Sequence, residues 1–223
     1  MPDTNGDQLL RYRRGQRIIH AVMAGSFLIL LFTGLALVWS PLAFIAAGGW
    51  SRYLHRIAAI GFMSVPILYL VFDRAGAKEI VTESFKYDSD DVAWFKKMYR
   101  YVLGRTAEMP PQGRLNAGQK LHHAGVVVMS AGIVVSGLIL WFAKGMMGPE
   151  GLAITAMVHD VTMLALTILL VGHLYFTFVY KALSGMTRGY VDVDEARLEH
   201  AKWVEELEHE AAAAAEEEVT EKV

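Results

Sequence analysis

Cysteine is absent from this 223-residue chain. Its absence excludes, within this chain, a cysteine-ligated iron–sulfur cluster, a haem attached through CxxCH, a structural disulfide and a thiol nucleophile. Any metal site must therefore use histidine, carboxylate or methionine side chains. No basic nucleic-acid-binding face is apparent, and the formal net charge is −2. Hydrophobic residues make up 54% of the chain and mean hydropathy is +0.32, as is ordinary for a small integral membrane protein.

Four apolar segments predict helices that cross a bilayer. Two contain no Lys, Arg, Asp or Glu, one contains a single acid, Asp160, and the weakest is charge-free only from Ile57. The first is too long for a signal peptide and lacks a convincing small-residue cleavage site, so we expect it to be retained. The sequence therefore predicts an all-α membrane protein, a four-transmembrane-helix bundle over residues 18–181. The helices are expected at about residues 18–39, 53–72, 121–143 and 151–180.

Lysine and arginine are unevenly distributed among the segments outside these spans. Eighteen of the 21 lie in the N-terminal segment, the loop of residues 73–120 and the tail from Lys181, and only three lie in the other two loops. The positive-inside rule places the richer side in the cytoplasm, so we expect both termini there, with residues 1–17 as a cytoplasmic N-terminus. Residues 182–223 form an acidic tail with twelve Asp and Glu. Its composition favours a solvated, fraying helix over a docking arm for a partner.

Two histidines of the fourth span, His159 and His173, are fourteen residues apart. At about 100° per residue, their side chains point within ~40° of each other at depths about 21 Å apart. An ionisable side chain in a bilayer needs a partner, and the commonest partner of a neutral imidazole is a metal. The spacing therefore indicates two metal ligands on one helix face.

The predicted topology gives four histidines a depth. His55 and His159 lie near the outer ends of their helices, and His20 and His173 lie near the inner ends. Two bis-imidazole pairs stacked across a four-helix bundle are the arrangement required by two b-type haems, whose chemistry would be one-electron transfer. Gly34, fourteen residues after His20, would let the outer macrocycle approach the backbone, although tight helix packing also explains a membrane glycine.

Other polar residues have less specific interpretations. His122 and His123 are expected at the membrane interface, with a quinone-site proton donor or a rival ligand of the inner haem as alternatives. His200 and His209 are expected to be solvated in the tail. Three arginines near the predicted haem edges could pair with haem propionates or equally with lipid headgroups. They are Arg17, Arg52 and Arg56.

Two motifs of the third span resemble those of a known family. Residues 113–120, Gly-Arg-Leu-Asn-Ala-Gly-Gln-Lys, open the span, and residues 137–141, Gly-Leu-Ile-Leu-Trp, lie near its end. They resemble the cytochrome b (gamma) subunit of respiratory formate dehydrogenase over about Arg13 to Gly189. The histidines fall in corresponding places, in Arg17-Ile-Ile-His20, in Arg52-Tyr-Leu-His55 and in the fourteen-residue pair. The histidine pattern is shared more widely with cytochrome b subunits of nickel–iron hydrogenases and thiosulfate reductases.

The resemblance implies a membrane anchor for a respiratory complex of the bacterial cytoplasmic (inner) membrane. In that family an iron–sulfur subunit, fed by a catalytic subunit with molybdenum or tungsten, passes electrons to the outer haem, then to the inner haem, then to menaquinone or another quinone. Carried over, the outer and inner histidine pairs would hold these two haems. Asn116 and Gly118, with His173 nearby, would form the quinone pocket, because an amide and a backbone N–H can donate hydrogen bonds to a quinone oxygen. No substrate dehydrogenation is expected in this chain itself.

The chain departs from the family at His122-His123, where the family tends to be apolar, and in its glutamate-rich tail. Nothing here encodes the catalytic partner, so a hydrogenase-type or thiosulfate-reductase-type complex and a stand-alone cytochrome b are alternatives. A proton or ion transporter that uses the membrane histidines and Asp160 is an alternative from a different class. A zinc cage is disfavoured because two ligands at each depth are too few for a tetrahedral shell.

Overall fold

The computed structural model of the protein describes residues 7–106 and 108–221. The chain forms two compact units, each built from separated segments. The bundle unit comprises Arg14–Glu79 and Gly125–Val171. The terminal unit comprises residues 7–13, 80–124 except 107, and 172–221.

The elements are almost all helical. In chain order they are β1 (Gln8–Leu10), α1 (Arg14–Val38), α2 (Ala43–Ala46), α3 (Trp50–Phe72), α4 (Arg74–Ser84), α5 (Ser89–Lys96), α6 (Met98–Val102), α7 (Ala117–Leu138), α8 (Pro149–Val179), α9 (Leu183–Thr187), β2 (Tyr190–Asp192), α10 (Val193–Glu199) and α11 (Ala201–Glu221). A π-helical segment, Ile139–Ala143, extends α7, and short 3-10 turns lie at Ser40–Leu42, Ala47–Gly49 and Lys144–Met146.

Four helices, α1, α3, α7 and α8, are long and apolar enough to span a membrane, as the sequence predicts. Large apolar side chains are exposed along them, among them Phe32, Ile57, Val161 and Ile168, each more than half exposed. Lipid tolerates such faces, whereas water penalises apolar patches of this extent. The expected four-helix, multi-pass membrane fold is confirmed.

The start of α7 illustrates why the observed ends differ from the predicted ones. The charged residues predict that the third span starts after Lys120, but the helix begins at Ala117. Asn116 caps it, because its Oδ1 accepts a hydrogen bond from the Gln119 N–H (2.9 Å) while Gln119 Oε1 accepts one from the Asn116 N–H (3.2 Å). This reciprocal capping box satisfies two backbone donors of the first turn.

In the bundle unit, α1 and α3 form an antiparallel pair in close contact. The chain reverses at Gly48 and Gly49, both at φ near +80°, a conformation that only glycine adopts without strain. Farther along, a Cβ atom on Gly61 would lie 2.5 Å from Ser26 Oγ, so glycine lets the two backbones approach. Phe27 and Phe62 make a ring contact at 6.2 Å between centroids.

The helices α7 and α8 approach each other in the same way within this unit. A Cβ atom on Gly132 would lie 3.0 Å from Thr162 Cγ2, and one on Gly125 would lie 3.1 Å from Leu169 Cδ1. Small residues at such contacts are the usual means of close helix packing in lipid. The two contacts place the middle of α8 directly against the middle of α7.

The terminal unit joins the two ends of the chain. β1 pairs antiparallel with β2, with Leu9 opposite Val191. Leu9 also shares a buried cluster with Ala196, Trp203 and Val204. The expectation of a solvated, fraying tail is therefore wrong for the first part of the tail, because its apolar side chains find partners in the N-terminal strand.

The two tail histidines have different surroundings. His200, expected to be solvated, is only 6% exposed, and one of its ring nitrogens lies 2.8 Å from the Gly113 carbonyl oxygen. His209 has a side chain that is 80% exposed, as expected. Both lie among acidic residues, but only His200 is close to the apolar side chains of Trp203 and Val204, which are buried.

Candidate haem site

Two of the predicted ligands meet in the bundle unit. His55 on α3 and His159 on α8 have ring centroids 6.4 Å apart, with the rings tilted by 58°. A metal held between two imidazole nitrogens, at about 2.0 Å from each, puts the ring centres about 6 Å apart, because each nitrogen lies about 1.1 Å from its ring centre. The observed separation fits one metal ion between the two rings.

Each of these rings is held by a hydroxyl group from a neighbouring helix. Thr33 Oγ1 on α1 lies 2.9 Å from His55 Nδ1, and Ser136 Oγ on α7 lies 3.1 Å from His159 Nδ1. Both hydroxyl groups also donate to a carbonyl of their own helix, at 2.6 Å to Ile29 and 2.8 Å to Gly132. Two helices thus contribute the histidines and two others contribute the groups that orient them.

These contacts determine which ring nitrogen carries the proton. A carbonyl oxygen can only accept, so the single hydroxyl hydrogen of Thr33 or Ser136 is used on the backbone. The ring is then the donor, with its proton on Nδ1, in keeping with the hydrogen bonds that the two rings also make with the backbone of Leu30 and Ile133. The lone pair of Nε2 is left for a metal in both His55 and His159, which is the tautomer that an axial ligand requires.

The two histidines line a largely apolar cavity of about 280 Å³. Its polar lining includes Arg52, Arg56 and Asp160. Trp141, from the π-helical segment, closes one side, and the Arg56 guanidinium carbon lies 5.4 Å from the centre of its ring. The sequence left open whether these arginines face a cofactor or lipid, and the structure places both beside the cavity.

The donor set indicates what kind of metal group fits. Among the described residues, no cluster of three or more histidine and carboxylate side chains could hold a metal ion. Two protein ligands suit an iron whose other four ligands come from a macrocycle, and they do not complete the shell of a free zinc ion. The residues of this cavity therefore fit a bis-histidine haem.

Glycines lie beside both rings. Gly34 lines the cavity, and a Cβ atom there would lie 3.7 Å from His55 Cε1, an ordinary contact. Gly137 is tighter, because a Cβ atom would lie 3.1 Å from His159 Cε1. The sequence reasoning selected Gly34 but missed Thr33 and Ser136. The signal that could have found them is a hydroxyl residue followed by glycine, which occurs at Thr33-Gly34 and again at Ser136-Gly137.

The other predicted pair is divided between the two units. His20 lies on α1 in the bundle unit, and His173 lies on the part of α8 that belongs to the terminal unit. Their pairing stays a prediction. Within the terminal unit, His173 stacks on His122 with centroids 5.2 Å apart and rings 16° from parallel, and His123 follows at 5.9 Å from His122. His122 is therefore a direct neighbour of a predicted ligand.

Asn116 and Gly118, the predicted quinone-binding residues, are closely packed. Asn116 is 1% exposed, and besides capping α7 it donates from Nδ2 to the hydroxyl oxygen of Tyr101 at 3.2 Å. A Cβ atom on Gly118 would lie 2.7 Å from Trp94 Cη2, so only glycine fits there. Both residues thus have a structural role in this packing.

Tyr101 links this motif to the tail. Its hydroxyl donates to Glu199 Oε2 at 3.2 Å, at the end of α10. Burial raises the pKa of Glu199 to about 7, although the hydrogen bond from Tyr101 and the charge of Arg11 oppose the rise. Burial likewise raises the pKa of Tyr101 well above its usual value, so the phenol stays protonated. The sequence reasoning did not single out Tyr101 or Glu199.

Comparisons with known proteins agree with these features. A family model described as prokaryotic cytochrome b561 matches residues 11–189. The cytochrome b556(fdo) subunit of formate dehydrogenase from Escherichia coli K12 is 24% identical over 209 residues, covering 90% of this chain and 94% of that protein. The formate dehydrogenase cytochrome b556 subunit of Haemophilus influenzae is 22% identical over 210 residues, covering 91% and 85%. The nitrate-inducible cytochrome b556(Fdn) subunit of E. coli K12 is 26% identical over 125 residues, covering 54% and 57%.

Proposed function

The chain belongs to the prokaryotic cytochrome b561 family, and from that premise we propose that it is the dihaem cytochrome b subunit of a respiratory formate dehydrogenase in a bacterial cytoplasmic membrane. It would pass electrons from an iron–sulfur subunit, supplied by a molybdenum or tungsten subunit, to menaquinone or another quinone. Two relatives named as formate dehydrogenase cytochrome subunits match about nine-tenths of the chain and support this choice of complex.

The observation that carries the proposal is the His55–His159 pair. Two imidazoles at 6.4 Å, each held through Nδ1, face one apolar cavity. When bound, a haem with two axial histidines supplies one-electron transfer, because its iron has no open position for a substrate. Arg52 and Arg56 would neutralise the propionates of that haem, since charge-assisted hydrogen bonds between guanidinium and carboxylate are strong in a low-dielectric site.

The second half of the proposal concerns the second haem and the quinone. His20 and His173 would hold the second haem, and Asn116 with the Gly118 backbone would bind the quinone. Quinone reduction consumes two electrons and two protons, and the proposed topology takes those protons from the cytoplasm. Each turnover would then move charge across the membrane and contribute to the proton-motive force.

The ligand assignment is tested by counting haems in histidine variants. We expect His55→Ala and His159→Ala each to lose the same single haem. His20→Ala and His173→Ala should each lose the other one. His209→Ala is the matched control, because this exposed histidine should affect neither haem. Full haem content in His55→Ala or His159→Ala, measured by pyridine haemochrome on folded protein, would overturn the assignment.

A further inference from the structure

The imidazole rings of His55 and His159 have similar surroundings. On α1, Thr33 contacts His55 Nδ1 and Gly34 leaves room beside His55 Cε1. On α7, Ser136 contacts His159 Nδ1, and the glycine that follows it lies closer to its ring, because a Cβ atom there would be 3.1 Å from His159 Cε1. A hydroxyl residue followed by glycine thus faces each ring from a neighbouring helix.

We propose that Thr33 and Ser136 are positioning residues that hold the two axial imidazoles by Nδ1 and set the reduction equilibrium of the haem between them. This inference rests on the proposed ligation of that haem by His55 and His159. Neither hydroxyl would touch the haem iron, so each acts through the histidine that it contacts.

A simpler role for these hydroxyl groups is a hydrogen bond to the backbone of their own helix, as for any serine or threonine in a membrane helix. Such residues commonly donate to the carbonyl four residues earlier, as Thr33 does to Ile29 and Ser136 does to Gly132. Thr155 on α8 makes this bond with the Gly151 carbonyl at 2.8 Å. What distinguishes Thr33 and Ser136 is the additional acceptance of a hydrogen bond from a histidine ring.

Burial makes this additional bond consequential. Thr33 is 8% exposed and Ser136 is 3% exposed. A hydrogen bond in such surroundings is electrostatically stronger than in water, and a buried ring N–H left without an acceptor is costly. The backbone carbonyls of Leu30 and Ile133 also accept from the two rings. Loss of either hydroxyl would therefore leave the ring N–H to the carbonyl alone, and the ring would turn towards it, so that the direction of Nε2 would change.

The same bond affects the iron. An acceptor at Nδ1–H raises the electron density at Nε2 and makes the imidazole a more basic ligand. A more basic ligand stabilises ferric iron relative to ferrous iron. Removal of the hydroxyl, one of the two acceptors of each ring N–H, should therefore favour the ferrous form and raise the midpoint potential of this haem alone.

The test compares Thr33→Val and Ser136→Ala with wild type in the purified full-length protein. We expect two haems per chain in both variants, with the ferrous-to-ferric ratio of one haem raised about two- to tenfold at a fixed potential, a tenfold change being about 59 mV for one electron. The electron paramagnetic resonance signal of the same haem should also shift as its ligand rings reorient. Thr33→Ser, which keeps a hydroxyl, should restore the wild-type potential and signal. Thr155→Val is the matched control and should move neither haem.

Wild-type potentials and resonance signals in both Thr33→Val and Ser136→Ala would overturn the inference. If His55→Ala still loses one haem in that case, the proposed function stands without it. If His55→Ala keeps both haems, the ligand assignment fails and the inference fails with it. Loss of the haem in Thr33→Val that Thr33→Ser restores would support the positioning role of the hydroxyl, and the shift in potential is then tested in Ser136→Ala.

Discussion

At the scale of single residues, a histidine serves as an axial ligand only when its tautomer and its ring direction are both defined. The spacing of His159 and the basic residues of the loops were enough to predict its pairing with His55. They could not predict the hydroxyl contacts, because a hydroxyl in a membrane helix ordinarily bonds its own backbone and leaves no mark in the spacing. Thr33 and Ser136 become informative only when α1 and α3, and α7 and α8, are packed.

Asn116 combines a structural role with a proposed functional one, and a substitution can separate the two. Asn116→Ser keeps an oxygen that caps α7 but removes the amide N–H groups. We expect quinone reduction to fall while both haems keep their absorption spectra. The lost hydrogen bond from Asn116 Nδ2 to Tyr101 should cost about 1 kcal/mol of unfolding free energy. Asn116→Ala should impair quinone reduction equally and also destabilise the protein by about 0.5–2 kcal/mol.

The measurement is a quinone-reduction assay with the complete complex, alongside thermal unfolding of the same variants. Normal quinone reduction in Asn116→Ser would show that the residue serves only as a cap. In that case only the Gly118 backbone would remain in the proposed quinone pocket.

At the scale of elements, the four spans were predictable because composition alone determines what can cross a bilayer. Their ends were less predictable, since a capping box and a charged residue compete as end signals. Its charge predicts that Lys120 bounds the third span, but Lys120 lies inside α7, where its Nζ is 2.7 Å from Asp91 Oδ2 in a buried ion pair. A contact across 29 residues leaves no local signal in the sequence.

The buried pair of Asp91 and Lys120 joins α5 to α7, and its side chains are only 2% and 9% exposed. Lys120→Met leaves the Asp91 carboxylate buried without its cation, so we expect a loss of about 3–5 kcal/mol of unfolding free energy. The double variant Asp91→Asn/Lys120→Met should recover a substantial part of that loss. Hydrogen exchange in α5 and α7 would locate the effect.

An exposed ion pair gives the control for this prediction. Arg197 and Glu208 pair at the surface with about half of each side chain exposed, so Glu208→Gln should cost less than about 1 kcal/mol. Equal stability of Lys120→Met and wild type would contradict the importance given to the buried pair.

At the scale of the whole molecule, the chain combines an apolar bundle unit with a terminal unit rich in buried polar contacts. The bundle was predictable from the sequence. The terminal unit was not, because strand residues 8–10 pair with residues 190–192, and Leu9 packs against residues 196–204, near the opposite end of the sequence. The many acidic residues of the tail predict that it is solvated. The few apolar residues among its acids, Trp203 and Val204 in particular, decide its packing instead.

This packing makes the stability of the protein depend on pH through Glu199. Its pKa rises from 4.5 to about 7, chiefly because it is buried. Between these values the folded protein binds more protons here than the unfolded chain does, so this contribution to stability is complete below pH 4.5 and is lost as pH rises to 7. The titratable and charged groups that face the carboxylate are Arg11, Glu195 and His200, whose Nε2 lies 4.0 Å from Glu199 Oε2, and Tyr101 is its hydrogen-bond donor.

We therefore expect the difference in unfolding free energy between wild type and Glu199→Gln to change by up to about 3 kcal/mol across this window. His200 acts in the opposite sense, because burial lowers its pKa and favours the folded state above pH 6.5. Because His200 Nε2 lies 4.0 Å from the Glu199 carboxylate, the comparison is repeated in a His200→Gln background, which removes the contribution of that histidine. A difference that is independent of pH from 4.5 to 7 would contradict the burial of a protonatable carboxyl group at residue 199.

The central claim is that four histidines of this chain hold two b haems. The most direct measurement is the pyridine haemochrome of the purified, folded chain, with the protein quantified independently. We expect two b-type haems per chain, one held by His55 and His159 and the other by His20 and His173. Folded protein with fewer than two haems would contradict it.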